Sequence, residues 1–111
     1  MKLPNAEAAF IDIHKLRDYS LNMQHDRGKH KARLFLAILG LSGENAEELE
    51  FILFEAIQIY DAISSSQDEY GQRYLVDFPL TRNGNTATIR STWIVRSTET
   101  FPRLTSCYIR R

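Results

Sequence analysis

The sequence predicts an α+β fold, in which three N-terminal helices pack on one face of a C-terminal antiparallel sheet, a meander of three to four strands. Apolar residues recur at helical spacing in residues 32–39 and 49–60. Residues 73–109 instead alternate between apolar and polar side chains, and they contain the Asn83–Gly84 pair of a hairpin turn. The length of 111 residues, with 43% hydrophobic and 25% charged residues, fits one ordinary globular domain spanning residues 1–111.

Two helices are predicted before residue 40. Residues 3–6 indicate an extended lead-in, and a short helix is expected over residues 13–19 with Asp12 as its N-cap. The second helix begins just after Gly28, and Gly40 is its expected C-cap. Its apolar stripe, at the i, i+3, i+4, i+7 spacing, consists of Ala32, Phe35, Leu36 and Leu39.

A third helix is predicted over residues 45–60, where Asn45 and Glu48 resemble a capping box. Its apolar stripe consists of Leu49, Ile52, Leu53, Ala56, Ile57 and Tyr60. Phe51 and Phe54 fall outside this stripe. They predict either contact with both the sheet and a neighbouring helix, or a surface for a partner or a second copy of the chain.

The second half of the chain is predicted to consist mainly of strands. Residues 61–69 are small and polar and indicate a loop. The first strand covers residues 73–80, and Pro79 near its end favours an edge or a strand terminus. Strands over residues 86–96 and 103–109 complete the sheet.

The strand over residues 86–96 has two distinct faces. Its apolar face consists of Ala87, Ile89, Ser91, Trp93 and Val95. Its other face consists of Thr88, Arg90, Thr92, Ile94 and Arg96. We expect the helices to cover the apolar face and the other face to be polar and partly open. The predicted core residues are Phe35, Leu39, Leu49, Ile52, Leu53, Ile57, Val76, Phe78, Ile89, Trp93 and Val95.

Composition narrows the class of protein. Cys107 is the single cysteine, so no internal disulfide forms, and this fits the reducing environment of the cytoplasm. Neither a signal peptide nor an apolar run long enough to span a bilayer is expected. His14, His25 and His30 are scattered without the spacing of metal ligands, so no metal site is predicted.

The formal net charge is zero, but the charges are segregated along the chain. Residues 44–69 carry eight acidic residues and no Lys or Arg. Residues 27–33 carry four cations and no acid, and residues 81–111 carry six arginines against one acid. Two basic blocks that flank an acidic one predict a basic face that attracts phosphates, whereas the alternative is an even distribution once the chain is folded.

The first candidate site is the basic start of the second helix. Lys29, His30 and Lys31 lie in its first turn, and Arg27 and Arg33 flank them. Cations are unfavourable there, because the unpaired N–H groups already carry partial positive charge. A bound phosphate would resolve this conflict, and the helix end would favour the neutral imidazole of a general base at His30. The alternative is a solvated basic turn.

The second candidate site is the open face of the sheet. Arg90 and Thr92 are two residues apart and therefore point the same way, towards the side that Arg96 also faces. From the last strand, either Thr105 and Cys107 or Ser106 and Tyr108 point to this side. Arginine and hydroxyl groups together can hold a phosphodiester, whereas the alternative is a solvated face with ordinary cross-strand pairs.

Five segments resemble a family of small uncharacterised bacterial domains related to the C-terminal domains of polymorphic and contact-dependent toxins. They are Leu3–Ala6, Lys15–Asn22, Gly28–Ala32, Asp68–Tyr74 and Arg90–Val95. These toxin domains resemble the barnase–EndoU–colicin–RelE group of metal-independent ribonucleases. The resemblance implies helices ahead of a small antiparallel sheet, RNA as substrate, no cofactor, and a cognate antitoxin or immunity protein as partner.

The resemblance also implies roles for individual residues. His30 or Lys31 would be the base, Arg90 the phosphate clamp, and Thr92 a hydrogen-bond donor to the phosphate. Tyr108 or Thr105 would supply a further hydroxyl. Independently of the resemblance, Lys29, Lys31 and Arg33 are predicted to bind phosphate from their place at the helix start. The expected reaction is attack of the RNA 2′-OH on the adjacent phosphate.

The sequence departs from this family at two points. Residues 22–26 contain no proline where the family has an Asn-Pro-x-His-Pro loop, and no second histidine is placed as the general acid. Two alternatives therefore stay open. One is a non-catalytic interaction module, such as one partner of a toxin–antitoxin-like pair, and the other is a homodimeric structural protein.

Overall fold

A computed structural model of the chain describes all 111 residues and confirms the predicted α+β fold. The helical elements are a 3₁₀ turn Ala6–Ala8, α1 Ile13–Lys15 with a continuing π-helical turn Leu16–Ser20, α2 Lys29–Leu39, a 3₁₀ turn Gly43–Asn45, and α3 Ala46–Ile59. The strands are β1 Ile63–Asp68, β2 Gly71–Arg82, β3 Asn85–Arg96 and β4 Pro102–Arg110. They form one antiparallel sheet in the order β1-β2-β3-β4. None of the helices combines the length and the apolar character needed to cross a bilayer.

The predicted helix ends are confirmed in α1 and α2 but not in α3. The Asp12 carboxylate accepts a hydrogen bond from the backbone N–H of His14, and Gly40 ends α2 in the left-handed conformation with φ of 67°. The capping box lies one turn earlier than predicted. It pairs Ser42 with Asn45 rather than Asn45 with Glu48, because a 3₁₀ turn precedes α3. The Glu48 carboxylate instead binds Arg82.

The prediction of a loop over residues 61–69 is wrong, because this segment contains β1. All six residues of β1 are exposed, so they show no alternation between buried and solvated positions. Pairing with β2, from Ile63 opposite Leu75 to Asp68 opposite Gly71, holds this strand in place. A register shift between Ser64 and Gln67 interrupts the pairing. A polar edge strand of this kind gives no periodic signal in the sequence.

Pro79 occupies a position in β2 where a missing N–H is tolerated. Pairing between β1 and β2 extends only as far as Leu75, so the edge of β2 at Pro79 has no neighbouring strand on that side. Proline is confined to such positions in sheets, because it cannot donate to a ladder. The interpretation of Pro79 as an edge residue is therefore confirmed.

The core lies between the helices and the inner face of the sheet, and Trp93 is its largest fully buried side chain. The Trp93 indole N–H donates to the Ser91 hydroxyl at 2.9 Å, which in turn donates to the Val76 carbonyl at 2.8 Å. All predicted core residues are buried except Ile52 and Val95, which are half-buried. Leu36 was also predicted to face the core and is instead 40% exposed.

Candidate functional site

The open face of the sheet brings together residues of both β3 and β4. Arg90 and Thr92 lie on this outer face, and Tyr108 pairs with Arg90 across the ladder. The ladder shifts register between Thr92 and Trp93, so that Ser106 pairs with Thr92 and Leu104 with Trp93, and Thr105 is the extra residue. The bulge therefore places Thr105 beside Thr92, and their hydroxyl oxygens are 2.5 Å apart.

The same bulge decides between the two predicted sets of β4 residues: Ser106 and Tyr108 lie on the outer side, and Thr105 of the other set joins them. Thr105, Ser106 and Tyr108 all lie on the outer side, because the bulge uses one extra residue before the alternation resumes. Cys107 is the exception, since its side chain is buried within the core. Burial raises the pKa of the Cys107 thiol to about 12, and the thiol is therefore neutral and unreactive.

Asp77 is the residue that positions Arg90. Both Nε and an Nη of Arg90 donate to the Asp77 carboxylate at 2.9 Å, and Arg110 donates to the same group at 3.2 Å. These hydrogen bonds raise the pKa of Arg90, to which the Tyr108 hydroxyl adds a smaller contribution. They also lower the pKa of Asp77, against the opposing effect of burial. The Arg90 side chain is 23% exposed. The two hydrogen bonds to Asp77 hold it in one orientation at the surface of the sheet.

Lys31 is the helix cation that reaches this outer-face cluster. Its Nζ lies 4.5 Å from the centroid of the Tyr108 ring, a cation–π distance. Residue 31 is turned by about 70° from the buried side of α2 formed by Ala32, Phe35 and Leu39, since successive helical residues rotate by about 100°. This flank faces β4. The sheet therefore presents Arg90, Thr92, Thr105 and Tyr108 with Lys31 at its edge.

The other predicted residues of the helix start leave α2 in different directions. His30 is exposed and lies nearly opposite the buried side of the helix. Lys29 is half-buried on the flank away from Lys31, and Arg33 and Arg27 are exposed. The basic segment over residues 27–33 is therefore divided between the sheet edge and solvent.

His25 supplies the hydrogen-bond acceptor at the start of α2 that the sequence analysis did not identify. Its Nδ1 accepts hydrogen bonds from the backbone N–H groups of Arg27 and Gly28, both at 3.1 Å. The His25 carbonyl accepts from the N–H of Lys29 at 2.9 Å. Some of the backbone N–H groups at the start of α2 thus have hydrogen-bond partners within the protein. Histidine is not a common capping residue, so its position before Gly28 gave no recognisable signal.

Gly28 is needed for close packing between the start of α2 and α1. A Cβ atom at this position would lie 2.4 Å from the backbone carbonyl oxygen of Tyr19. The backbone of Gly28 has a φ of −89°, so the requirement is for space and not for an unusual conformation. No group of three or more His, Cys, Asp or Glu side chains comes together in a cluster that could hold a metal ion.

The sequence profile of a family described as "Domain of unknown function (DUF6883)" matches residues 2–111. The chain belongs to the DUF6883 family. No curated relative of this DUF6883 domain matches at a significant level.

The fold of the DUF6883 domain is similar to that of a chain in a solved structure. It is described as a contact-dependent growth inhibition toxin–immunity protein complex from Klebsiella pneumoniae 342. The matching chain is 14% identical with a TM-score of 0.66, and the match covers 90% of this chain and 98% of that chain. At this level of identity the likeness establishes a common fold.

We expect the Asp77–Arg90 pair to make stability depend on pH in the acid range. The pKa of Asp77 is lowered below its ordinary value of 3.8, so the unfolded state binds more protons than the folded state in this range. The contribution is full above the unfolded-state pKa and is lost as the pH falls through the folded-state pKa. The difference in unfolding free energy between the wild type and Asp77→Asn should therefore be largest at neutral pH and shrink below about pH 4.

Urea unfolding at several pH values measures this difference. Asp26→Asn is a matched control, because it removes an exposed carboxylate that makes no ion pair. A difference for Asp77→Asn that stays the same from neutral to acid pH would contradict the proposed linkage.

Proposed function

We propose that this DUF6883 domain is a metal-independent endoribonuclease-like toxin domain. The observation that carries the proposal is the outer-face cluster, in which Arg90 and Tyr108 lie beside the paired hydroxyls of Thr92 and Thr105, with Lys31 over the Tyr108 ring at the edge. Cations and hydroxyl groups in this arrangement suit an anionic phosphodiester. The common fold with a chain of a toxin–immunity protein complex supports a toxin or immunity-type role, and for the toxin-type role proposed here a cognate immunity protein or antitoxin would be the partner.

The proposed reaction is attack of a ribose 2′-OH on the adjacent phosphorus. A bond forms between O2′ and phosphorus, and the bond from phosphorus to the 5′ oxygen breaks. The products are a 2′,3′-cyclic phosphate and a free 5′-OH, so no water is consumed. One group must accept the proton of the 2′-OH, and a second must supply a proton to the 5′ oxygen.

Within this proposal, each residue of the cluster is given a role that its position supports. Arg90 stabilises the charge that develops on the phosphate oxygens, because Asp77 already holds its guanidinium in a fixed orientation. Of the two helix residues that qualify as the base, Lys31 faces the cluster and His30 faces solvent. We therefore assign proton abstraction to Lys31. Thr92 and Thr105 hold the phosphate, and Tyr108 orients the Lys31 ammonium or amine.

A single set of cleavage assays tests the proposal. We expect the purified protein to cleave single-stranded RNA in the presence of EDTA and to leave 2′,3′-cyclic phosphate ends. Arg90→Gln should lower the rate by about 10²–10³-fold, the usual effect of removing one charge-stabilising donor. Arg17→Gln is a matched control, because Arg17 is exposed on the π-helical turn after α1 and makes no ion pair. Loss of cleavage on chelation would contradict the metal-independent mechanism.

A second candidate function is a non-catalytic interaction module, and the exposed face of α3 favours it. Phe51 is 66% exposed, whereas Phe54 is half-buried against the core. Apolar cavities of about 360 Å³ and 220 Å³ flank Phe51, one towards Phe10 and the other towards Pro79. The acidic residues of α3 around them suit a protein partner whose apolar side chains are bordered by Lys or Arg. Absence of cleavage with every RNA substrate, together with loss of partner binding in Phe51→Glu, would favour this function.

A further inference from the structure

A cleft at the far end of the outer sheet face adjoins the outer-face cluster. It has a volume of about 140 Å³ and lies where the segment before α1 meets β3 and β4. Ile94 and Leu104 are its buried apolar residues. Its polar and aromatic lining residues are Phe10, Asp12, Lys15, Arg96, Arg103 and Thr105.

Backbone pairing with β4 fixes Phe10 at one side of this cleft. The N–H of Phe10 donates to the Pro102 carbonyl at 2.9 Å, and the Phe10 carbonyl accepts from the N–H of Leu104 at 3.0 Å. Phe10 therefore forms a parallel bridge with Arg103 and extends the sheet by one residue. These backbone bonds therefore hold Phe10 in place in addition to the contact of its ring with Arg103.

Arg96 is the cation of the cleft that is available for an anion. Its side chain is 55% exposed, and its nearest carboxylate oxygen, on Glu99, lies 4.0 Å away. Glu99 is already engaged by two hydrogen bonds from Arg103, at 2.8 Å and 2.6 Å. Lys15 adds a second cation, whose Nζ donates to the Thr105 carbonyl at 3.1 Å and keeps its other protons free. Asp12, the one carboxylate in the lining, is occupied as the N-cap of α1.

The Phe10 ring supplies an apolar surface beside these cations. The Arg103 guanidinium lies 5.0 Å from the ring centroids of both Phe10 and Phe101, so it is stacked between the two rings. Phe10 is nevertheless 46% exposed, so Arg103 and the rest of the protein leave part of this residue open to solvent. Stacking on exposed aromatic rings is the main way in which proteins hold bases of single-stranded nucleic acids.

Thr105 joins the cleft to the outer-face cluster. It lines the cleft, and its hydroxyl pairs with that of Thr92. Thr92 and Arg96 lie on the same face of β3, about 13 Å apart for a strand that rises about 3.3 Å per residue. A nucleic-acid strand held at Arg90 and Thr92 would therefore continue along β3 into the cleft.

We propose that this cleft is a nucleotide subsite that binds a residue of single-stranded RNA flanking the two at the cleaved bond. Phe10 stacks on its base, and Arg96 with Lys15 binds its phosphate. The subsite rests on the proposed ribonuclease function and specifies its substrate as a single strand longer than the reacting dinucleotide.

Binding of 2′-O-methyl RNA tests the subsite without cleavage, since the methyl group blocks the attacking oxygen. Fluorescein-labelled oligonucleotides of stepwise increasing length are titrated at two salt concentrations and followed by anisotropy. The wild type should gain affinity when the flanking nucleotide is added. Phe10→Ala should remove this gain, with a loss of about five-fold or more, and Arg96→Gln should lower the salt slope by about one. Arg17→Gln is the matched control for loss of one surface charge and should keep the gain.

The outcomes separate the subsite from the proposed function. If Phe10→Ala and Arg96→Gln keep the full gain with length while the wild type cleaves RNA, the subsite is wrong and the ribonuclease function stands. If the wild type neither binds the oligonucleotides at low salt nor cleaves RNA, both are overturned. Circular dichroism checks the fold of each variant. If Phe10→Ala does not fold, Arg96→Gln still tests the subsite, because Arg96 is exposed and its replacement should not disturb the fold.

Discussion

Trp93→Ala is expected to destabilise the domain by roughly 3–5 kcal/mol, a large part of the total stability of a domain of this size. Trp93 is fully buried at the centre of β3 and is the largest of the fully buried side chains. The substitution removes the apolar contacts of the indole and leaves a cavity that rigid neighbours cannot close. It also removes the N–H that donates to the Ser91 hydroxyl, although Ser91 keeps its bond to the Val76 carbonyl.

Urea unfolding of the wild type and two comparison variants measures this effect. Trp93→Phe keeps most of the buried area and should lose much less stability than Trp93→Ala. Phe51→Ala removes an aromatic ring that is exposed on α3 and should change the midpoint little. An unfolding midpoint for Trp93→Ala as high as that of Phe51→Ala would show that the helices do not cover this face of the sheet.

The alternation along β3 was the most reliable structural signal in the sequence. A strand with one covered and one open face repeats every two residues, so residues 86–96 divide correctly into a side led by Trp93 and a side led by Arg90. The same rule fails for β1, in which all residues are exposed. Pairing with β2 holds that strand in place. Such pairing cannot be predicted from the residues of a polar edge strand, because they show no alternation.

The ion pair that orients Arg90 could have been derived from the hairpin turn. A two-residue turn at Asn83 and Gly84 pairs Arg82 with Asn85, and counting five residues back along each strand places Asp77 opposite Arg90. The bulge at Thr105 could not be derived in this way. It adds one residue to β4 through local ladder geometry, and no glycine or proline marks it in the sequence.

The side of α2 on which Lys31 lies could also have been predicted from the sequence, because the apolar stripe of α2 defines its buried side. The stripe formed by Ala32, Phe35 and Leu39 defines the buried side, and residue 30 then lies nearly opposite it. The stripe does not show which neighbouring element faces each flank of α2. That depends on how α2 lies across β3 and β4, which only the folded structure establishes.

Lys31→Ala is expected to lower the rate of RNA cleavage by about 10²–10⁴-fold, the range for removal of a general base. The reason is that Lys31 lies over the Tyr108 ring at the edge of the outer-face cluster, and Tyr108 in turn pairs with Arg90 across the ladder. His30→Ala is the matched comparison, because it changes the preceding residue of the same helix turn. His30 points to solvent, so its replacement should alter the rate by a few-fold at most.

Lys31→Arg distinguishes proton abstraction from charge stabilisation at this position. Arginine keeps the positive charge and the cation–π contact with Tyr108, but its guanidinium does not release a proton at any pH at which the protein is folded. We therefore expect Lys31→Arg to be as inactive as Lys31→Ala while binding 2′-O-methyl RNA like the wild type. Near-normal cleavage by Lys31→Arg would mean that Lys31 acts through its charge alone. Near-normal cleavage by Lys31→Ala, with loss in His30→Ala, would instead transfer the base to His30 and require α2 to turn its outer side towards the substrate.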